Sequence, residues 1–272
     1  MTSKVIKKIK SIICFIRSAA DFNNPIGLVS SKIFSNTNVI VYRYHQYRLL
    51  SFESFADGVS IRECLSEKIY HEALKRSCPK GGSGTYVNLG ANIGAFDIAL
   101  NSVWSGCSVK GVSVEMNPWT CARLASNIHW NRLDTRVLNA AVGPARGETS
   151  LDIAKTGPGQ SLYHSVPDSR ATAVNMIKLS DVPSPATPAD VDLLKVDCEG
   201  SEYPIFMSAN AAELKRFKNI VMEVHLPPPG HTREALVERM KTEGRYDALL
   251  LGSREGAQLI FFSRSQAGNP AK

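Results

Sequence analysis

The sequence predicts an α/β protein built on a doubly wound, mostly parallel sheet of seven strands, with an antiparallel C-terminal hairpin at one edge. Three observations predict it. Short apolar runs alternate with helix-compatible stretches through residues 86–241, the order that builds crossover units. Residues 85–101, TYVNLGANIGAFDIALN, carry an apolar strand, a glycine turn and a helical segment without interruption. The last two apolar runs, residues 246–251 and 257–262, read as a hairpin.

The glycine turn organises the rest. Tyr86, Val87 and Leu89 have β character, Gly90 follows, and the apolar residues of 95–100 suit a helix. Gly90 and Gly94 stand where a side chain would obstruct close approach of the backbone to a ligand facing a helix N-terminus. The G-x-x-x-G spacing is neither that of a dinucleotide fold nor that of a P-loop. A tight turn between a buried strand and a helix would carry the same residues. A second strand, 109–114, ends in Glu115. A carboxylate about 20 residues beyond a glycine turn, at the tip of the next strand, is placed to accept both hydroxyl protons of a ribose.

In chain order, residues 4–17 set Val5, Ile9, Ile12 and Ile16 at helical spacing, with lysines opposite. That pattern fits a basic amphipathic helix lying on an anionic membrane, or a terminal helix docked on the protein body. A signal peptide fits poorly, because the apolar core 12–16 is short. Residues 21–54 read as irregular apart from a strand at 39–42; the run Tyr42, Arg43, Tyr44, His45, Tyr47, Arg48 reads as part of a packed subdomain or as a sugar contact. Residues 55–74 hold Ile61, Leu65 and Ile69 at helical spacing, and 78–84 form a Pro/Gly linker.

Beyond Glu115, Pro118 opens a helix to about Trp130, and residues 136–142 read as one strand. Residues 147–153 and 173–179 alternate as further β segments around a polar loop, 156–170, which suits a lid, an acceptor contact or a solvated linker. Strands follow at 193–197 and 220–225, each trailed by a helical stretch. The domain reading is therefore a basic helix at 1–20, a cap and linker at 21–84, a core at 85–265 and a tail at 266–272. Gly90, Glu115, Asn139, Asp197 and His225 all fall at or just after strand ends, where the ligand crevice of such a sheet lies.

The segments VNLGANIGAFDIALN, VSVEMNPWTCARLASNI, LNAAVG, LLKVDCEGSEYPIF and IVMEVH resemble those of the FkbM-type S-adenosylmethionine-dependent methyltransferases, over roughly residues 57–225. The resemblance implies a Rossmann-like class I methyltransferase fold, a cap near 55–74 over the cofactor cleft, and S-adenosyl-L-methionine as cofactor. It implies cofactor contacts at Asn88, Gly90, Ala91, Asn92, Gly94, Glu115, Met116, Asn139, Ala140 and Asp197, with Asn139 and Ala140 beside the adenine. Asn88 stands where the family has Asp, near the cofactor's ammonium, so Asn88→Asp is expected to bind the cofactor at least as tightly.

The implied reaction is O-methylation of a hydroxyl on a sugar, glycan or related metabolite. A hydroxyl needs a base within reach, and Asp197, Glu199 and His225 are the candidates. His225 is attractive for its near-neutral intrinsic pKa, while Glu202 reads as an exposed residue of a first helical turn. Asp197, Glu223 and His225 also form a possible, though not expected, Mg²⁺ site. The formal charge of +7 is concentrated in Lys4, Lys7, Lys8, Lys10 and Arg17, which argues against a nucleic-acid-binding face. Six scattered cysteines suit a reducing cytoplasm and no zinc site. A non-enzymatic alternative is a degenerate methyltransferase fold that binds cofactor, a partner or a membrane. A nicotinamide-dependent oxidoreductase is disfavoured, because its glycine pattern and catalytic Tyr-x-x-x-Lys pair are missing.

Overall fold

The computed structural model describes residues 13, 15–34, 39–52, 57–152, 171–185, 190–254 and 256–265. The polar loop 156–170, the tail 266–272 and residues 4–12 and 14 of the basic helix lie outside the described residues.

The N-terminal part is more regular than its sequence suggests. Helix α1 (Pro25–Phe34) precedes a hairpin of β1 (Val39–Tyr44) and β2 (Tyr47–Phe52), paired from Val39 with Phe52 to Tyr44 with Tyr47. The turn is made at His45, whose φ of 51° is left-handed. Tyr42, Tyr44 and Tyr47 are buried, the first two in edge contact with Phe22. The three tyrosines of the run are therefore packed inside, while Arg43, His45 and Arg48 are exposed.

A short helix α2 (Asp57–Ile61) continues into a π-helical turn (Arg62–Ser66), and α3 (His71–Ser77) follows. This cap is anchored by a bidentate pair: Arg123 donates to both carboxylate oxygens of Asp57 at 2.9 and 3.0 Å, with both side chains buried. Buried Asn127 adds a second tie, donating to Leu50 O and Ile93 O and accepting from Leu50 N. Hairpin, cap and glycine turn are thus held in one register.

Seven strands form the main sheet: β3 (Ser83–Leu89), β4 (Ser108–Glu115), β5 (Asp134–Asn139), β9 (Val191–Val196), β10 (Phe217–Val224), β11 (Tyr246–Arg254) and β12 (Ala257–Arg264). Their order is β11-β12-β10-β9-β3-β4-β5, parallel except for β12, which is antiparallel to both β10 and β11. This is the Rossmann-like class I methyltransferase arrangement. Alternate residues feed two cores: Tyr86, Leu193 and Val221 join one, and Val87, Leu194 and Met222 the other. Burial on both faces explains the continuous apolar runs. The covering helices are α4 (Ala95–Val103), α5 (Pro118–Trp130), α6 (Glu202–Ser208), α7 (Ala211–Leu214) and α8 (Arg233–Thr242). The strand order reverses between β3 and β9, so a crevice opens there at their carboxyl ends.

One expected strand is two. Residues 136–142 divide at Ala140: β5 stays in the main sheet, and β6 (Ala141–Val142) joins a separate sheet ordered β6-β8-β7, with β7 (Gly147–Asp152) and β8 (Ala171–Ile177). The break is made locally. The Asn139 side chain donates to the carbonyls of Glu115 and Met116 at 2.8 and 2.9 Å, ending the pairing with β4 and turning the chain away. Among the described residues, no helix is long and apolar enough to cross a membrane.

Candidate functional site

A cleft lies over the ends of β3, β4 and β9 and under the cap. Gly90, Ala91 and Asn92 form its floor, Glu115, Met116, Asn117 and Thr120 one wall, and Ala140, Ala141 and Val142 an apolar wall. Val59, Ser60, Glu63, Cys64 and Tyr70 of the cap enclose it from above, and Lys195, Asp197, Glu199 and Arg254 line the remaining end.

The glycine turn is shaped by the chain itself. At Gly90 (φ +69°) a Cβ would stand 1.8 Å from the Asp197 carbonyl oxygen; at Gly94 (φ +91°) it would crowd Leu124 at 3.0 Å. Both glycines thus relieve contacts within the protein, and only Gly90 reaches the cleft. Asn92 is also left-handed (φ 49°), and its side chain accepts from Ile93 N at 2.7 Å. This geometry turns the Asn92 N–H onto Glu115, whose two oxygens accept from Asn92 N and Asn117 N, each at 2.9 Å. Burial raises the Glu115 pKa, and those two N–H groups oppose the rise.

The other end is a dense ionic network. Burial would raise the Asp197 pKa, but the Lys195 ammonium 3.3 Å away, together with His225 and Arg254, holds the carboxyl below its ordinary value. Glu199, left-handed at φ 51°, faces the same end. His225 lies behind: Nδ1 is 3.0 Å from Glu202, and Nε2 is 3.4, 3.6 and 3.8 Å from Glu199, Glu223 and Asp197. Burial favours the neutral ring, yet Glu202, followed by Asp197 and Glu199, raises the His225 pKa to about 9. The ring is accordingly a cation at neutral pH, and its unperturbed value does not describe it.

Several expected site residues stand elsewhere. Asn88 is fully buried off the cleft wall, donating to Asp97 Oδ2 at 2.8 Å. Asp97 also accepts from Tyr86 OH at 2.6 Å and Ser113 Oγ at 2.5 Å, so the carboxylate under the turn comes from α4. Asn139 is spent on the carbonyls of Glu115 and Met116, and Gly94, Glu223 and His225 are likewise off the wall. Glu202 is fully buried rather than exposed, because it accepts from Cys198 N and Gly200 N, both at 2.8 Å, and pairs with His225. Ala91, Met116, Ala140 and Glu199 do line the cleft.

The donor atoms of Asp197, Glu223 and His225 lie within 4.8 Å of one another, close enough to share a cation. Two side-chain cations flank the same carboxylates. Lys195 faces Asp197, and Arg254 pairs with both Glu223 and Glu63. Burial raises Glu223, which also accepts from Tyr70 OH at 3.2 Å. Lys195, Arg254, Glu63 and Tyr70 were not singled out from the sequence. For Lys195 the signal was there, a lone cation inside the apolar run LLKV; nothing local marks the other three.

A family model for the methyltransferase FkbM domain matches residues 88–246. The chain belongs to the FkbM methyltransferase family. The FkbM domain is similar in shape to several solved methyltransferases. The methyltransferase FkbM of Methylobacillus flagellatus KT gives a TM-score of 0.47 at 12% identity, over 94% of this chain and 60% of that one. TYW2 of M. jannaschii, solved in complex with AdoMet, gives 0.44 at 15%, over 86% and 90%. The precorrin-6y C5,15-methyltransferase of Geobacter metallireducens GS-15 gives 0.40 at 14%, over 71% and 87%. A search of curated proteins found no match.

Proposed function

We infer that this FkbM methyltransferase uses S-adenosyl-L-methionine to methylate a hydroxyl oxygen of a sugar, glycan or related small metabolite. The observation that carries the cofactor is Glu115. Its two oxygens are aimed by the N–H groups of Asn92 and Asn117, and the carboxylate opens onto a cleft whose neighbouring wall is Ala140, Ala141 and Val142. An acceptor-only carboxylate suits ribose hydroxyls, and an apolar wall suits adenine. Bound there, the cofactor supplies an electrophilic methyl group on its sulfonium.

The chain's own task is to orient the acceptor and take its proton. Asp197 is the base of this proposal: Lys195, His225 and Arg254 together keep it ionised, and its side chain, 28% exposed, lines the cleft. Glu199 supplies a second hydroxyl-accepting carboxylate at that end. His225 is already protonated, so it holds Asp197 and Glu199 in place rather than removing a proton. The oxygen acceptor and its sugar character rest on the resemblance. Asn88, where the chain departs from the family's Asp, does not line the cleft, so the departure does not count against a cofactor site there.

Calorimetric titration with S-adenosylmethionine tests the cofactor. Glu115→Ala should weaken binding by about tenfold or more, the loss expected when hydrogen bonds to a charged group go. A folded wild-type protein that does not bind would overturn the reading. Candidate sugars are then compared by S-adenosylhomocysteine release. Scattered cysteines favour a cytoplasmic setting; peripheral contact through residues 4–17 is tested by liposome flotation with and without residues 1–20.

A further inference from the structure

Lys195 sits in β9 between Leu194 and Val196, both fully enclosed, and is itself only 3% exposed. It nevertheless forms part of the cleft wall, beside the glycine turn. A buried ammonium persists only where its protons and charge are matched. Nζ donates to the Gly90 carbonyl at 2.8 Å and lies 3.3 Å from Asp197 Oδ2. Its third contact, to the Leu89 carbonyl, is 3.5 Å, the outer limit of a hydrogen bond. One of three N–H groups is therefore weakly held, and the Tyr70 ring, another part of the cleft wall, lies 6.0 Å from Nζ.

Arg254 is the other cation lining the cleft among the described residues, and Glu63 and Glu223 occupy it from two sides. Lys195 and Glu115 belong to β9 and β4, with β3 between them. Two strand spacings are about 10 Å. A ligand whose ribose meets Glu115 would extend its far end across the turn toward Lys195. In S-adenosylmethionine that far end bears the molecule's only carboxylate.

We propose that Lys195 binds the carboxylate of the cofactor's amino-acid end, donating its weakly held N–H while Gly90 and Asp197 fix the ammonium in place. This rests on the reading that the cleft takes S-adenosylmethionine, and it makes Lys195 a specificity residue for amino-acid-bearing over truncated nucleosides.

The test is calorimetric and needs no acceptor. Wild type and Lys195→Met are titrated with S-adenosylhomocysteine and with 5′-methylthioadenosine, which keeps the nucleoside and thioether but lacks the amino acid. The variant should lose about tenfold or more for the first and less than about threefold for the second, since only the first carries the paired carboxylate. Should the variant fail to fold, wild type decides alone: decarboxylated S-adenosylmethionine should bind about tenfold or more weakly than S-adenosylmethionine. Equal losses for both ligands in a folded variant, or equal wild-type affinity for the decarboxylated cofactor, would overturn the assignment while leaving the cofactor reading intact. Wild type that binds none of the four ligands would overturn both.

Discussion

The backbone carbonyl of Asp197 fills the space where any residue but glycine at position 90 would place its Cβ, at 1.8 Å. The turn that floors the cleft and a carboxylate lining its far end are packed against each other across the sheet's switch point. Lys195 reinforces the same junction through the Gly90 carbonyl and the Asp197 side chain. Gly90→Ala must therefore move one strand end relative to another. A left-handed backbone and the clash together cost roughly 3 kcal/mol or more. A lowered midpoint in urea checks this; a shift of less than about 1 kcal/mol would contradict the packing.

Asn88→Asp is now expected to destabilise the protein rather than improve cofactor binding. The new carboxylate would lie beside Asp97, which is fully buried with its pKa already raised, burial being the main cause. One of the pair must hold a proton, so the folded-state pKa rises above the unfolded value and stability falls as pH rises. A deficit of about 3 kcal/mol at neutral pH, shrinking toward pH 4, is the expected result. Melting curves across that range decide it; a variant as stable as wild type at pH 7 would contradict the placement of Asn88.

His225 should make the protein sensitive to alkali. Its folded-state pKa of about 9 lies above its unfolded value of about 6.5. The stabilisation is therefore complete below the unfolded pKa and lost as pH climbs through about 9, a change of up to about 3 kcal/mol. Histidine resonances followed by NMR titration give the pKa directly. A value near 6.5 would remove the argument that His225 is a cation in the resting site.

Chelation should change neither S-adenosylmethionine affinity nor turnover. Asp197 and Glu223 are already paired with the cations Lys195 and Arg254. A rise in melting temperature on adding Mg²⁺, absent in Glu223→Gln, would show that the cluster takes a metal after all.

The sequence by itself determined the sheet, its crossovers and its hairpin edge, because a strand buried on both faces reads as an unbroken apolar run and the glycine turn follows directly. It also placed Gly90, Glu115 and Asp197 at strand ends, since the crevice of such a sheet lies there by topology. Only the tertiary structure decided charge and direction. Asn88 adjoins the turn in sequence, yet the inward face of β3 sends it to Asp97. Glu202 resembles any acid at a helix start until two backbone N–H groups and His225 surround it. Arg254 and Glu63, 191 positions apart, meet over the cleft through the hairpin and the cap. Periodicity reports which face of one element is buried; it carries no information on which charges from other elements arrive there, and those arrivals set the protonation of Asp197 and His225.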